Sequence, residues 1–514
     1  MLSVIASHAC LGVDGVLIRV EVDIRKGLPG VDIVGLPDNA VREARERVRV
    51  AIRNSGFRFP SDRILVSLAP AGIRKEGASF DLPIALGILA ASGQLMSGDA
   101  DSLMVLGELN LDGGVRPVKG VLSAVGTGLE KRIPLFLVPT DNVPEALALR
   151  RGRVYGIDCL QQAFRLLTSI RAAPETCPPA AVPAPEPPSS TRAQDFRDLR
   201  GQKMLRRALE IASAGRHHLL LFGPPGSGKT MAVRRLPSLL PPLTREESLT
   251  VTRIHSIAGL IPAGGGLIRR PPFRAPHHSA SSEGIIGGGK FLRPGEVSLA
   301  HRGILFLDET AEFKASLLQT LREPVEEGRV SIARAGSSVS FPADFQLVMA
   351  ANPCPCGNLG RDQAVCVCSG AEIRRYWQKI GGALLDRIDM RIPVRPVSAA
   401  AMQEPGGESS KTIADRVAGA VAAQQGRYRG LGLSRNSRLT PGEVMRFCTP
   451  DQAGQAALAS ALEKLSLSSR AYHSILKVAR SIADLEGAAA VRKRHILEAI
   501  QYRRYGEGDL FWNS

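Results

Sequence analysis

Lys229 and Thr230 close a glycine-rich run, Gly223-Pro224-Pro225-Gly226-Ser227-Gly228-Lys229-Thr230, directly after the apolar stretch Leu219-Leu220-Leu221-Phe222. The spacing is that of a phosphate-binding loop, G-x-x-x-x-G-K-[ST]. Its glycines let backbone N–H groups close round phosphate oxygens, and the helix expected behind it turns a positive N-terminal end towards the same anion. Lys229 supplies a point charge for the β- and γ-phosphates, and Thr230 offers a hydroxyl to Mg²⁺. A second apolar run, Gly303-Ile304-Leu305-Phe306-Leu307, ends in Asp308-Glu309. Asp308 at such a strand end can hold the Mg²⁺ hydration shell opposite Thr230, and Glu309 can polarise an attacking water as a general base. A third run, Phe345 to Ala351, delivers Asn352, whose amide can orient that water or the γ-phosphate. ATP and Mg²⁺ are the expected ligands.

Cysteine chemistry forms a second cluster. Cys354-Pro355-Cys356 and Cys366-Val367-Cys368 are two C-x-C pairs nine residues apart. Four thiolates in one short loop can close a tetrahedral Zn²⁺ site that braces the chain after Asn352. Free or redox-active thiols are the alternative, since C-x-C is less usual than C-x-x-C and no histidine completes the set. His277 and His278 are adjacent on a loop and point apart, so they read as shaping that loop rather than ligating a metal.

These groups need a scaffold. Val16, Ile18, Val20, Val22 and Ile24 alternate with charged residues, which predicts a half-buried strand. Ile64–Leu68, Met104–Leu106 and Leu135–Val138 are further strands. Asp38 and Asp81 are expected to cap helices, and another helix is expected near 120–131. Residues 1–170 therefore read as an α/β domain, followed by a proline-rich linker over 171–194 and a nucleotide domain over 195–398. Residues 399–514 are helical, with Thr440-Pro441 starting one helix and apolar stripes through Ala457, Leu458, Leu462 and Leu465, then Ile475, Val478, Ile482 and Leu485.

The whole chain of 514 residues carries a formal charge of +17 and a pI near 9.9, which suits a polyanionic partner. Aromatics are only 4%, too few for extensive base-stacking platforms. No apolar run is long enough for a transmembrane helix, and Met1–Ala6 lacks the basic start and apolar core of a signal peptide. Eight cysteines, half of them clustered, argue against a disulfide framework. A cytoplasmic protein without a membrane partner is expected.

Longer motifs make a resemblance specific. Arg274-Ala275-Pro276-His277-His278, Gly287-Gly288-Gly289, Arg293-Pro294-Gly295-Glu296-Val297-Ser298-Leu299-Ala300-His301 and Asn352-Pro353-Cys354-Pro355-Cys356-Gly357 resemble the YifB/ComM family of magnesium-chelatase-like AAA+ ATPases. Gly35-Leu36-Pro37-Asp38 and Phe80-Asp81-Leu82-Pro83-Ile84-Ala85-Leu86 extend the resemblance to nearly the whole chain. It implies an α/β multidomain protein: a Lon protease-like (ribosomal S5 domain 2-like) N-terminal domain, an AAA+ P-loop core with a parallel sheet, and an all-α lid. It implies an ATP-promoted homohexameric ring acting on single-stranded or branched DNA as a branch-migration helicase. Asn352 falls at the sensor-1 position. Arg387, in Leu384-Leu385-Asp386-Arg387-Ile388-Asp389, would reach into a neighbour's site, and Arg470 is a second arginine for phosphate. An insert within about 256–300 and a hairpin within about 328–343 are implied, with Arg329 and Arg334 touching the DNA backbone. Gly381-Gly382-Ala383 departs from the family's Ser-Gly-Pro, leaving the positioning of Arg387 open.

A peptidase is not expected. Lys75-Glu76-Gly77-Ala78-Ser79 resembles the Lon nucleophile loop, but the dyad lysine falls at Leu122, and Lys119 lies three residues early. The competing readings are an ATP-dependent protease, a remodeller of protein complexes and a chelatase-type motor subunit, all without a DNA substrate.

Overall fold

The computed structural model describes residues 2–95, 102–172, 194–289, 292–334, 337–361, 364–403, 406–433, 435–465 and 467–503. The proline-rich segment expected over 171–194 lies almost wholly outside the described residues.

The N-terminal region folds round one seven-stranded sheet in the order Gly30–Val34, Arg63–Ala69, Asp14–Arg25, Leu2–Leu11, Leu103–Val105, Leu135–Pro139, Arg153–Ile157. Leu2–Leu11 is central, antiparallel to Asp14–Arg25 and parallel to Leu103–Val105. The alternation in Asp14–Arg25 is realised, with Ile18, Val20 and Val22 fully buried. Asp38 caps the helix Asn39–Asn54 as expected, its carboxylate accepting from the Val41 N–H at 2.8 Å.

Asp81 does not cap. Phe80 is the capping residue of Asp81–Ala91, and Asp81 is the first helical residue. Its buried carboxylate pairs with Arg47 of the neighbouring helix at 2.9 Å and accepts from the Leu109 N–H at 3.3 Å. An ion pair and an outside donor satisfy this carboxylate better than its own helix terminus does.

The second sheet has five strands, all parallel, in the order Phe273–Arg274, Ile304–Leu307, Gln346–Ala351, Leu219–Phe222, Met390–Pro393. Its inner strands are apolar apart from Gln346 because both faces are covered. Leu219, Leu221, Ile304, Phe306, Val348 and Ala350 face a core shared with helix Lys203–Gly215 and the C-terminal helices. Leu220, Leu305, Leu307, Leu347 and Met349 face the opposite core, which contains Leu317, Phe345 and Trp377.

Parallel strands put all carboxyl ends on one edge and all amino ends on the other. Gly223, Asp308 and Asn352 therefore share an edge. His218, Gly303, Phe345 and Asp389 share the opposite one.

Two additions flank this sheet. Arg329–Arg334 pairs antiparallel with Ser337–Pro342, giving the expected hairpin. Helix Ser282–Ile286 and the strand pair Gly287–Gly288 with Arg293–Pro294 lie inside the expected insert. They meet closely: a Cβ on Gly287 would stand 2.8 Å from Ile332 Cδ1. The turn of the first N-terminal hairpin also abuts this feature, since a Cβ on Gly12 would stand 2.5 Å from Val339 Cγ1.

The C-terminal region is helical: Ser410–Arg427, Pro441–Phe447, Gln452–Lys464, Ser469–Leu485 and Lys493–Gln501. Thr440 starts Pro441–Phe447 through a reciprocal capping box with Glu443. Among the described residues no helix is long and apolar enough to cross a membrane.

Candidate functional site

The carboxyl edge of the parallel sheet brings the sequence-predicted nucleotide residues together. Strand Leu219–Phe222 runs next to Gln346–Ala351, with Phe222 opposite Ala351, and the Gly223 N–H donates to the Ala351 carbonyl at 3.2 Å. Strand Ile304–Leu307 lies on the other side of Gln346–Ala351. Thr310 Oγ1 locks those two ends by donating to the Leu307 and Ala350 carbonyls at 2.8 and 3.1 Å. Asp308 and Asn352 thus flank the loop because β-pairing fixes their register.

Within this cradle the Thr230 hydroxyl donates to Asp308 Oδ2 at 2.7 Å. The helix Lys229–Val233 starts at the loop, and Gly226 and Gly228 sit at φ of 79° and 90°, where a side chain would be strained. A Cβ on Gly223 would stand 2.1 Å from the Val394 carbonyl oxygen. Lys229 Nζ donates to the Gly223 and Pro224 carbonyls at 2.6 and 3.0 Å and approaches Asn352 Oδ1 at 3.5 Å. Burial pulls its ammonium below the ordinary lysine range, with Asp308 and Glu309 opposing. Among the described residues Ser227 Oγ is buried without a hydrogen-bond partner. These groups fit a Mg-nucleotide: a loop with room at Gly226, a buried hydroxyl lacking a mate, and a hydroxyl–carboxylate pair at the expected metal position.

Glu309 occupies the left-handed region at φ 49°, an unusual placement for this residue type. Its side chain is 61% exposed, and His278 Nδ1 stands 3.7 Å from its Oε2. Sequence reasoning left His278 as a residue shaping a loop. It reaches Glu309 because Phe273–Arg274, four residues before it, is the strand that pairs with Ile304–Leu307. That adjacency has no local sequence signal. Nearby, Arg274 makes a two-pronged bond to Glu296 with both distances 2.6 Å, which ties the insert to this strand.

Arg387 and Arg470 are elsewhere. Arg387 precedes Met390–Pro393, so it lies at the amino edge of the sheet, opposite the phosphate loop of its own chain. Its guanidinium pairs with Glu326 at 2.6 Å and donates to the Ala383 carbonyl at 2.5 Å. Arg470 pairs with the same Glu326 and stands 3.6 Å from Asp386. Glu326 holds both arginines and went unnoticed in the sequence. Burial raises its carboxyl, but the two guanidinium groups outweigh that and hold it below the usual range.

Other closed pairs share this edge. Asp344 is contacted by Arg216, Arg302 and Arg438. His217 bridges Asp389 at 3.2 Å and Ser481 at 2.7 Å, while Ser474 donates to Asp389 at 2.6 Å. This Ser–His–Asp constellation has the look of a hydrolytic triad. His217 and Ser481 are fully buried, so it serves as a staple between the sheet and helix Ser469–Leu485.

The hairpin candidates divide. Arg329 is exposed and pairs with Glu327 at 3.1 Å. Arg334 ends its strand, and its side chain lies outside the described residues.

The four cysteines converge. Cys354 Sγ is 3.4 Å from Cys356 Sγ and 3.6 Å from Cys366 Sγ, and Cys356 and Cys366 are 3.7 Å apart. With Cys368, all four sulfurs lie within 4.8 Å of one another.

In the N-terminal sheet domain, Leu122 is buried, and its N–H donates to Glu145 at 2.8 Å. Glu145 also accepts from Ser256 of helix Arg245–Ala258. Lys119 runs along the end of that helix, where a Cβ on Gly259 would stand 2.4 Å from Lys119 Cε. The segment from Lys119 to Leu122 thus packs against helix Arg245–Ala258, the Gly120 N–H donating to Ser256 Oγ at 2.9 Å.

The parallel sheet, the phosphate loop and the strand-end acids define a P-loop protein of the AAA+ class. Residues 195–402 match the family described as magnesium chelatase, subunit ChlI. Residues 20–142 match subunit ChlI of Mg-chelatase, and residues 407–503 match magnesium chelatase, subunit ChlI C-terminal. A Mycobacterium tuberculosis protein is 42% identical over 501 residues, spanning 97% of this chain and 98% of its own. YifB of Escherichia coli is 40% identical over 504 residues, with 98% and 97% covered. Competence protein ComM of Haemophilus influenzae is 39% identical over 508 residues, again with 98% and 97% covered. The chain belongs to the YifB/ComM family of magnesium-chelatase-like AAA+ proteins.

Proposed function

We propose that this protein hydrolyses ATP as a homohexameric ring and uses the cycle to move DNA, acting as a branch-migration helicase of the ComM kind. The observation that carries the hydrolysis reading is the Thr230–Asp308 contact at 2.7 Å, with Glu309 and Asn352 on the same sheet edge. Thr230 and Asp308 would hold Mg²⁺, which when bound neutralises charge on the phosphates. Lys229 exchanges the Gly223 and Pro224 carbonyls for phosphate oxygens. Glu309 takes the proton of the attacking water, and Asn352 orients that water. Arg387 acts from the neighbouring subunit, because it lies across the sheet from its own phosphate loop. Arg470, beside it on Glu326, reaches the same neighbour's phosphates.

DNA as the load is supported by the net charge of +17 and by kinship with a competence protein. Arg329 and Arg334 on the hairpin contact the phosphate backbone in this reading. Zn²⁺ on the four thiols completes the cofactors, the N-terminal domain has no peptidase activity, and the protein works in the cytoplasm.

The test is ATP turnover with and without single-stranded and branched DNA, beside mass measurement with a non-hydrolysable nucleotide. Stimulation by branched DNA and a six-subunit mass are expected. Turnover indifferent to every DNA form would transfer the work to remodelling of protein complexes.

A further inference from the structure

The four-thiol cluster is more than a knot in a loop. A tetrahedral Zn²⁺ with bonds of about 2.3 Å sets its sulfurs about 3.8 Å apart. The three sulfur separations, 3.4, 3.6 and 3.7 Å, are close to that edge length. An all-thiolate tetrahedral donor set selects a soft or borderline ion, zinc foremost.

The position of the cluster matters as much as its composition. Cys354 lies two residues beyond Asn352, and Cys368 directly precedes Ser369, the capping residue of helix Gly370–Ile380. That helix returns to the site. Trp377 Nε1 donates to the Pro353 carbonyl at 3.1 Å. The Trp377 ring stands edge-on to Phe222, the last residue of the phosphate-loop strand, with centroids 6.0 Å apart. Gly357, inside the cysteine loop at φ 76°, lies against the phosphate loop: a Cβ there would stand 2.9 Å from Pro225 Cδ.

We infer that Cys354, Cys356, Cys366 and Cys368 bind one Zn²⁺ that clamps the Asn352 segment against the phosphate loop through Gly357 and Pro225, so that zinc occupancy sets the grip on ATP. This rests on the nucleotide reading above for its ATP consequence and on the thiol geometry alone for the metal. Without zinc the cysteine loop keeps the Trp377 bond to Pro353 and the apolar packing of Cys354, Cys356, Leu359, Cys366 and Cys368, but Pro225 loses its backing and the phosphate loop loosens.

The experiment uses the full chain in three forms: wild type, the double variant Cys356→Ser/Cys366→Ser, and Gly357→Ala. Metal analysis reads zinc per chain, hydrogen exchange reads the 223–230 backbone without nucleotide, and a fluorescent ATP analogue reads affinity. Wild type should carry one zinc per chain. The double variant should lose it, exchange faster across 223–230, and bind the analogue roughly tenfold more weakly, about 1.4 kcal/mol. Gly357→Ala should keep zinc and still weaken binding, because the added methyl displaces Pro225. A wild-type chain that takes up no zinc after reduction and zinc addition overturns the metal site. Zinc lost from the double variant with unchanged exchange across 223–230 overturns the clamp. Failure of zinc-loaded wild type to bind the analogue at all would sink the nucleotide reading instead, while zinc content and exchange still decide the clamp.

Discussion

The two edges of the parallel sheet are built on opposite terms. At the carboxyl edge the polar groups are sparsely satisfied: Lys229 leans on two loop carbonyls, Ser227 Oγ is buried without a partner among the described residues, and Glu309 faces solvent with His278 at 3.7 Å. At the amino edge each acid is closed off. Asp344 takes three arginines, Asp389 takes His217 and Ser474, Asp386 takes Arg503 and Arg470, and Glu326 takes Arg387 and Arg470. A ligand edge leaves donors and acceptors to be completed by the ligand. The other edge spends its arginines on internal pairs with its acids, although Arg387 Nε and Gln346 Oε1 stay buried without a hydrogen-bond partner among the described residues. Four-residue strands separate the two by roughly 13 Å. An arginine on the amino edge is about that far from the phosphate loop of its own chain.

The sharpest break of that contrast is Arg387→Ala. A guanidinium supplied in trans is worth about 10³–10⁵ in rate in well-studied nucleotide hydrolases, so turnover should fall by at least about a thousandfold. Mixing these chains with Glu309→Gln chains should restore part of the activity, because each then supplies what the other lacks. If mixtures stay inactive at every ratio, the two edges do not complete each other. Glu309→Gln alone attacks the other side. Loss of a general base costs about 10²–10⁴ in rate, while ATP affinity should hold, since Thr230, Asp308 and Lys229 are untouched. A fluorescent nucleotide and a phosphate-release assay separate the two effects.

A stability prediction of intermediate size belongs to the amino edge. His218 Nδ1 accepts from the Leu347 N–H, and His301 Nδ1 accepts from the Asp344 N–H, both at 3.0 Å. Both bonds require that nitrogen unprotonated, and burial lowers the two pKa values to about 4 and about 3. A lowered histidine pKa means that the unfolded chain binds the extra proton first. Stability is full above pH 6.5 and is lost as pH falls towards 4. Each histidine should cost about 2 kcal/mol by pH 5. Asp344 and Asp389 are held far below the usual carboxylate range by arginines and by His217 respectively, against their burial, so their contribution is lost only at still lower pH. Thermal melts at pH 7 and pH 5 should differ by several degrees, and His218→Gln should shrink the difference. A pH-independent melt would show that the amino edge is not held by neutral imidazoles.

The same contrast explains what the sequence disclosed. The phosphate loop, Asp308-Glu309 and Asn352 follow a local rule: an apolar run, then a polar residue at the strand end. The parallel sheet carries that rule directly into one edge. The amino edge follows no local rule. Asp344 sits in an unremarkable Ala343-Asp344-Phe345, and its arginines are 128, 42 and 94 residues away. Glu326 is 144 residues from Arg470. Asp81 was readable as a cap because its real partner, Arg47, belongs to another helix. Leu2–Leu11 was missed because its burial is nearly continuous rather than alternating, as suits a central strand covered on both faces. The cysteine cluster was readable as a set of ligands, but its contact with Pro225 was not.

The smallest effect is the most discriminating. Glu326 pairs with both Arg387 and Arg470 in the isolated chain, yet its side chain is 41% exposed. Partly exposed pairs contribute about 0.2–1 kcal/mol, so replacing Glu326 by glutamine should leave folding nearly unchanged. If the pair is a resting partner that a neighbour's phosphate displaces, Glu326→Gln removes a competitor. Half-maximal turnover should then come at a protein concentration up to about fivefold lower, with the rate in saturated rings unchanged. If Glu326 instead aims Arg387 during hydrolysis, the saturated rate should fall and the concentration dependence should stay put. The two outcomes move different parameters of one titration. A lowered saturated rate would make Glu326 a positioning residue, and the amino edge would then be a built half of the active site rather than a store of paired arginines.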